Sequence, residues 1–314
     1  MTYIKPSNTL IYYGWLSGFN GAVNGWDNEK VAQDIARYEL VVLGAGLADS
    51  SHGDYSNTSI IIPRVMELNP NCKIFGYVTT NMTQSNFEDQ VDLWDAFSIY
   101  GIFMDEAGYD YGTVATNGRA AVNDKVDYVH GKNMFCFMNA WNIKHILGTD
   151  NDPSYPNSTW NSPTKASKLT GDDWYLLESF LVNTSAYTND LATPSDWLAR
   201  GNIAIDYREE YGINLCSANI VEDSLTEAQN LANMAYVSSI MWSLDGHSVS
   251  DVYYGASSGN CKLWSKPSVG IELPMSLSPV IENESGSSVI YWRYAKDGRF
   301  KLDFNTPTYS IDSY

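Results

Sequence analysis

The sequence predicts an α/β protein built as a closed (β/α)8 barrel with a small C-terminal β appendage. Three observations carry this reading. Short apolar runs alternate with longer amphipathic stretches between residues 10 and 246. The runs number eight, the count of a closed barrel. Each is apolar on both faces, as parallel strands covered by helices are. An open, doubly wound sheet is the rival arrangement for the same alternation. The chain has 314 residues, 44% hydrophobic and 18% charged, a folded globular composition at a length that suits one large barrel.

Leu10–Trp15 (LIYYGW) reads as the first strand and Asp27–Tyr38 as the helix after it. Leu40–Leu47 (LVVLGAGL) is a buried strand, followed by a helix over Ser59–Leu68 that ends before Asn69-Pro70. Lys73–Thr80 (KIFGYVTT) is the third strand, and the helix Asn86–Tyr100 turns Val91, Leu93, Trp94 and Phe97 inward. Gly101–Ala107 (GIFMDEA) is the fourth strand, with a helix over roughly Thr116–His130. Asn133–Trp141 (NMFCFMNAW) is the fifth. The polar stretch from Asn142 to Asp172 is long for a loop inside a domain, a length usually tied to function or motion. Trp174–Val182, Ile213–Val221 and Ser239–Asp245 (SIMWSLD) complete the eight strands, separated by helices Pro194–Tyr211 and Leu225–Val237. Beyond Asp251 the character changes. Val289–Tyr294 and Phe300–Phe304 flank Lys296-Asp297-Gly298, an Asp-Gly turn that signals a hairpin. The division expected is a barrel over residues 1–264 and an appendage over 265–314.

Nineteen basic against 37 acidic residues give a net charge of −18. Nucleic acid and acidic lipid are repelled by such a surface, and no basic patch interleaved with aromatics is present. No apolar run reaches the ~18 residues of a membrane span. The N-terminus, Met-Thr-Tyr-Ile-Lys-Pro, lacks the apolar core of a secretory signal. That leaves a chain that is cytosolic, exported by another route, carried on a particle or read without its leader; an extracellular or particle-associated place is the expectation. Cys72, Cys136, Cys216 and Cys261 are widely spaced; three lie in apolar runs and read as buried free thiols. Sequons stand at Asn57, Asn81, Asn157, Asn183 and Asn283.

Several motifs fail in context. Gly44-Ala-Gly46 follows a strand but lacks the third glycine of a dinucleotide loop. Gly255-Ala-Ser257-Ser-Gly259 has the spacing of a nucleophile elbow without the strand and helix one requires. Asp49, His52 and Asp54 have metal-ligand chemistry, yet three polar residues in one loop rarely hold an ion. No metal and no cofactor is expected.

The acids are more informative. A barrel's functional face lies at the C-terminal strand ends. Those ends carry Trp15, Asp49, Thr79, Thr80, Asp105, Glu106, Asn139, Trp141, Glu178, Asn219 and Asp245. Asp105, Glu106 and Glu178 sit in otherwise apolar strands, where an unpartnered carboxylate is costly. Each alone is explained by a lysine, an arginine or a backbone amide that locks the barrel; three beside aromatic strand ends suggest a site. With Tyr13, Trp15, Tyr77, Tyr109, Trp141 and Trp242 nearby, the chemistry suggested is that of sugars. Aromatic faces stack on pyranose C–H faces, while carboxylates bind hydroxyls and move protons. Tyr13, Trp15, Asp49, Tyr77, Tyr109, Asn139, Trp141, Asn219, Trp242 and Asp245 are therefore the expected substrate-binding residues.

The strand Lys73-Ile-Phe-Gly-Tyr-Val-Thr-Thr80, a helix, and then Gly101-Ile-Phe-Met-Asp-Glu-Ala107 resemble the spherulin-4-like glycoside hydrolases, whose barrels carry Gly-Tyr-Val-x-Thr and Gly-Ile-Phe-Phe-Asp-Glu-Ala strands. The endo-α-1,4-polygalactosaminidase group is a more distant likeness, and Glu178-Ser179 resembles the family's third acid. The resemblance covers residues 10–246. It implies a TIM barrel, endo-acting cleavage of a galactosamine-containing polysaccharide, and Asp105, Glu106 and Glu178 as the active-site acids. A deacetylated polymer of this kind is cationic, in keeping with the charge of −18. Tyr13-Gly14-Trp15 departs from the proline-containing first strand of the family, and the appendage lies outside the family barrel.

Neighbouring strand residues face opposite ways, so Asp105 and Glu106 enter one site together only where the strand end is bent. Three routes stay open. Asp105 as nucleophile with Glu178 as acid/base predicts retention and carboxyls ~5–5.5 Å apart. A substrate-assisted route uses the acetamido group, with Glu106 as proton donor and Asp105 orienting. A gap of ~6.5–9.5 Å predicts inversion. The other functional class is a non-catalytic carbohydrate-binding or structural barrel of a phage, virus particle or cell surface. There the appendage makes a homo-oligomer or binds a particle partner.

Overall fold

The computed structural model describes residues 5–149, 159–183, 190–222, 225–250, 264–269, 281–283 and 289–314. Its strands in chain order begin with β1 (Ser7–Tyr12), β2 (Leu40–Leu43), β3 (Lys73–Thr79), β4 (Gly101–Asp105), β5 (Phe135–Asn139) and β6 (Trp174–Leu177). Two two-residue strands follow, β7 (Val182–Asn183) and β8 (Asp190–Leu191), and then β9 (Asn214–Ile220) and β10 (Gly246–Ser250). Strands β1 to β6, β9 and β10 pair in parallel, and β10 bonds both β1 and β9, so the eight close into a barrel. This is a TIM barrel.

Around it run α1 (Gly21–Asn24), α2 (Asn28–Ile35), α3 (Tyr55–Leu68), α4 (Gln84–Asp95), α5 (Val114–Asn117), α6 (Arg119–Gly131), α7 (Lys144–Leu147), α8 (Pro194–Tyr211) and α9 (Ala228–Met241). Their starts follow from the sequence. Thr83 and Thr193 cap α4 and α8 by accepting from Asn86 N and Asp196 N, and Pro194 fills the first turn of α8. Gly212 ends α8 at φ +74°, where a side chain would be strained. Among the described residues no helix is long and apolar enough to cross a membrane.

The period-two alternation of each strand divides the core in two. Ile11, Leu40, Val42, Phe75, Phe103, Phe137, Trp174, Leu176 and Cys216 fill the barrel interior. Phe137 sits 5.2 Å from Phe75 and 5.3 Å from Phe103, ring centroid to centroid. The residues of opposite parity, such as Val41, Ile74, Val78, Ile102, Met104 and Cys136, meet the helices. Cys136 and Cys216 are buried free thiols and Cys72 is half-buried; Cys261 and Gly255–Gly259 lie outside the described residues.

One strand was expected in the wrong place. Ser239, Ile240 and Met241 belong to α9, and the eighth strand begins at Gly246. From Met234 to Met241 every residue of α9 is buried, so its sequence carries no amphipathic period to read. The C-terminal sheet supplies the reason. Strands β11 (Glu282–Asn283), β12 (Ile290–Ala295), β13 (Gly298–Asp303) and β14 (Thr308–Ser313) form an antiparallel sheet whose β13 and β14 pack on α9. The expected hairpin is present: Ala295 pairs Gly298 across Lys296-Asp297, and β14 adds a third full strand. From β12, the buried Arg293 donates through Nη1 to Ile240 O (2.7 Å), Met241 O (2.8 Å) and Ser243 Oγ (2.7 Å). It thereby adds a side-chain donor at the carbonyls that end the helix. Trp242, expected at the substrate, is fully buried beside this cap, 5.4 Å from Trp197 and against Gly201 of α8.

Arg293→Ala removes three buried hydrogen bonds at the end of α9 and is expected to lower the unfolding free energy by ~3 kcal/mol in chemical denaturation. An unchanged midpoint would show that the sheet is not anchored through this side chain.

Candidate active site

Two residues beyond each inward apolar side chain of the barrel floor lies another inward residue, now at the C-terminal mouth. Phe103 leads to Asp105, Phe137 to Asn139, and Leu176 to Glu178. These three, with Ile11, Tyr13, Glu106, Tyr111, Ala140, Ser179, Ala218, Asn219, Ile220 and Ser250, line a cavity of about 200 Å³. Among the described residues its lining holds three carboxylates and no cationic side chain.

Asn139 fixes the spacing of two of the acids. Its Nδ2 donates to Asp105 Oδ1 at 2.8 Å and to Glu178 Oε2 at 3.1 Å. The two N–H bonds of one amide diverge by ~120°, which sets those oxygens ~5 Å apart. Asp105 Oδ1 also accepts from the backbone N–H of Glu106 at 2.8 Å, and the Tyr77 hydroxyl feels the charge of the same carboxylate. Burial, and then Asp105, push the Tyr77 hydroxyl well above the ordinary phenol range, so it stays a proton donor. Tyr13 packs edge-on against Tyr77 at 5.4 Å.

Glu106 shares the cavity with Asp105 because the strand end is bent. Its φ is +53°, in the left-handed region, which turns its side chain to the face that strand parity denies it. Its Oε2 accepts from Thr79 Oγ1 at 2.8 Å. A buried network holds the turn. Thr80 Oγ1 donates to the carbonyl of Asp105 or Glu106, at 3.0 and 2.8 Å. Asn117 Nδ2 reaches Glu106 O and Gly108 O, at 2.5 and 3.1 Å. Beneath them Lys125, 1% exposed, donates through Nζ to Thr80 O (2.5 Å), Thr116 O (2.6 Å) and Met82 O (3.1 Å). Burial lowers the Lys125 ammonium to about 8.

The turn after β6 is built alike. Ser179 has φ +48°, and Arg200 of α8 donates to Glu178 O (2.5 Å) and Ser179 O (3.2 Å). The Arg200 guanidinium lies 4.9 Å over the half-exposed ring of Trp141, making that ring a braced plate beside the turn.

The structure sorts the expected residues. Asp105, Glu106, Glu178, Tyr13, Asn139 and Asn219 line the cavity, and Tyr77 lies outside the lining with its hydroxyl under the influence of Asp105. Asn219 is 1% exposed and spends its Oδ1 on Leu181 N and Val182 N, so it shapes the wall. Trp15 and Trp141 are about half exposed at their strand ends, outside the lining. Asp49 closes its own turn by accepting from Ser51 N at 2.7 Å. Three expectations need correcting. Tyr109 is buried between His145 (4.6 Å) and Trp160 (5.2 Å); the aromatic of that loop on the cavity is Tyr111, two residues on. Trp242 ends α9 in the helical layer. Asp245 precedes β10 rather than ending a strand; it accepts from Leu215 N (2.9 Å) and faces Arg208 (3.8 Å) at the opposite end of the barrel. Both displacements follow from the misplaced eighth strand. Tyr111, Ser179, Ser250 and Arg200 were not anticipated. Ser250 was legible once β10 was in register, whereas Arg200 reaches the site from a helix and leaves no strand signal.

Sequence comparison finds no family model and no curated protein that matches the chain. Among solved structures the chain is similar to the carboxyl transferase domain of Rhizobium etli pyruvate carboxylase (TM-score 0.47, 11% identity, 82% of this chain and 42% of that one). It is also similar to a GH5-4 broad specificity endoglucanase from Clostridium longisporum (TM-score 0.43, 10% identity, 77% and 85%). A third is 3-dehydroquinate dehydratase from Geobacillus kaustophilus (TM-score 0.40, 9% identity, 79% and 83%). The chain spans about two fifths of the length of the carboxylase domain it matches. These likenesses concern the barrel and carry nothing about chemistry.

Lys125 generates a prediction with a definite sign. Its folded value, about 8, lies below the ordinary lysine value of 10.5, so between these two pH values the unfolded chain holds more protons. Its contribution to stability therefore rises from pH 8 to pH 10.5. In Lys125→Met that rise is expected to be missing when unfolding free energies at pH 7.5 and pH 10 are compared with wild type. An identical pH dependence in the two proteins would exclude the buried ammonium.

Proposed function

We propose that this chain is a glycoside hydrolase that cleaves an amino-sugar, galactosamine-type polysaccharide by carboxylate acid/base chemistry at the C-terminal mouth of its barrel. The observation that carries the reading is the convergence of Asp105, Glu106 and Glu178 on one cavity, with Asn139 setting two of them ~5 Å apart. The spacing supports double displacement over inversion, which needs room for a water between the acids.

Two donors, Asn139 Nδ2 and the Glu106 N–H, hold Asp105 Oδ1 and orient its carboxylate for attack on the anomeric carbon. Glu178 protonates the leaving glycosidic oxygen as the C–O bond breaks. It then takes a proton from the water that releases the glycosyl–Asp105 ester, regenerating both groups. Glu106, held by Thr79, adds an acceptor for a substrate hydroxyl or ammonium. An acidic cavity whose described lining holds no cation supports a substrate carrying free amines. The half-exposed rings of Trp15 and Trp141 offer stacking plates beyond the cavity. An extracellular or particle-borne setting, with the C-terminal sheet as the assembly surface, belongs to the same proposal.

The test is incubation with acetylated and deacetylated galactosaminogalactan, with released oligosaccharides read by mass spectrometry. Asp105→Asn and Glu178→Gln are expected to cut release by ~10²–10⁴-fold while melting as wild type does. Equal release by the variants would overturn the acid assignment. Retention on the immobilised polymer without release would favour the carbohydrate-binding barrel instead.

A further inference from the structure

At the N-terminal end of the barrel, away from the cavity, three side chains of different chemistry meet. His130 lies in the last turn of α6, Cys136 is the second residue of β5, and Asp173 immediately precedes β6. His130 Nε2 is 3.0 Å and 3.1 Å from the two oxygens of Asp173 and 3.9 Å from Cys136 Sγ. One ligand atom from each falls within 4.8 Å of the other two. Cys136 and the Asp173 side chain are fully buried, and the imidazole is 26% exposed. We propose that His130, Cys136 and Asp173 form a binding site for a zinc-class divalent cation.

The donor set comes first. Imidazole nitrogen, thiolate sulfur and carboxylate oxygen together suit Zn²⁺ and Co²⁺, whereas Mg²⁺ and Ca²⁺ take oxygen alone. Spacing agrees. An ion ~2.0–2.3 Å from tetrahedral N, O and S ligands holds them ~3.3–3.8 Å apart. The two distances from His130, 3.0 and 3.9 Å, bracket that range, while the widest pair of ligand atoms, within 4.8 Å, has to close by about 1 Å when an ion binds.

The carboxylate is already oriented from behind. Cys136 N–H donates to Asp173 Oδ1 at 2.7 Å, and Thr170 N–H donates to Oδ2 at 2.6 Å. Thr170 Oγ1 donates to Oδ2 as well, at 3.1 Å. These bonds leave the mouth of the carboxylate aimed at His130 Nε2, equidistant from both oxygens, and supply the outer shell that metal-ligating carboxylates need.

Charge balance favours the same reading. Asp173 raises the proton affinity of His130 through its hydrogen bond, and burial, with Asp173, holds the Cys136 thiol protonated. A divalent ion held by the Asp173 carboxylate and the Cys136 sulfur as thiolate meets two negative charges, which avoids the cost of burying an uncompensated ion. The other charges facing His130 are those of Asp127, one turn earlier on α6, and Lys168 paired with it. The exposed side of the imidazole leaves the fourth position to water. A bound ion would tie the end of α6 to the starts of β5 and β6.

The full chain, stripped with chelator and then titrated with Co²⁺, tests this apart from any activity. One equivalent is expected to produce a thiolate-to-cobalt charge-transfer band and to release the thiol proton. Zn²⁺ at ~100-fold excess over Kd is expected to raise Tm by ~5 °C. Cys136→Ser is expected to lose the charge-transfer band, and His130→Gln to bind at least tenfold more weakly. No band and no Tm shift in wild type would overturn the site and leave a His130–Asp173 ion pair. A band that survives in Cys136→Ser would place the metal elsewhere.

Discussion

Closure of β10 onto both β1 and β9 is the constraint on which the rest of this molecule depends. A closed parallel barrel has one interior, so every inward residue of eight strands must share it. The aromatic layer of Phe75, Phe103 and Phe137 fills that space and forms a floor. The next inward residue on each strand has no space left below and stands at the mouth. Asp105, Asn139 and Glu178 become neighbours for this reason, although they are distant in the chain.

Strand parity alone would bring two of the three acids together. Glu106 joins them through a left-handed residue at the strand end, a conformation unfavourable for a non-glycine residue. Its neighbours over-determine it: Thr80 and Asn117 hold the local carbonyls, and Lys125 holds Thr80 from below. The same logic recurs at Ser179, where Arg200 reaches over from α8. Both turns concentrate polar groups where the barrel core gives out. Placing strain there leaves the floor free to pack in ordinary rotamers.

The C-terminal sheet changes how one barrel unit reads without altering the barrel. Packing on α9 buries the face that such a helix normally shows to water, and Arg293 then serves the helix end as a capping group. A helix covered on both sides loses its polar stripe, and with it the periodicity that tells a helix from a strand.

What the sequence determined by itself is what local rules encode. Seven of the eight apolar runs specified parallel strands, and the Asp-Gly turn specified a hairpin. The pattern of an inward apolar residue followed two places later by an acid or amide put Asp105, Asn139 and Glu178 on one face, because strand alternation is a local property. Tertiary structure decided the rest. The partner of α9 lies some fifty residues further on, so Ser239–Asp245 read as a strand and carried Trp242 and Asp245 with it. The φ of Glu106 depends on Thr80, Asn117 and Lys125 from three other segments, so whether it entered the cavity was not local information. The choice of Tyr111 over Tyr109 depended on His145 and Trp160, which hold the latter ring. Each of these outcomes is a contact between distant segments, set by chain closure rather than by the preferences of the residues that make it.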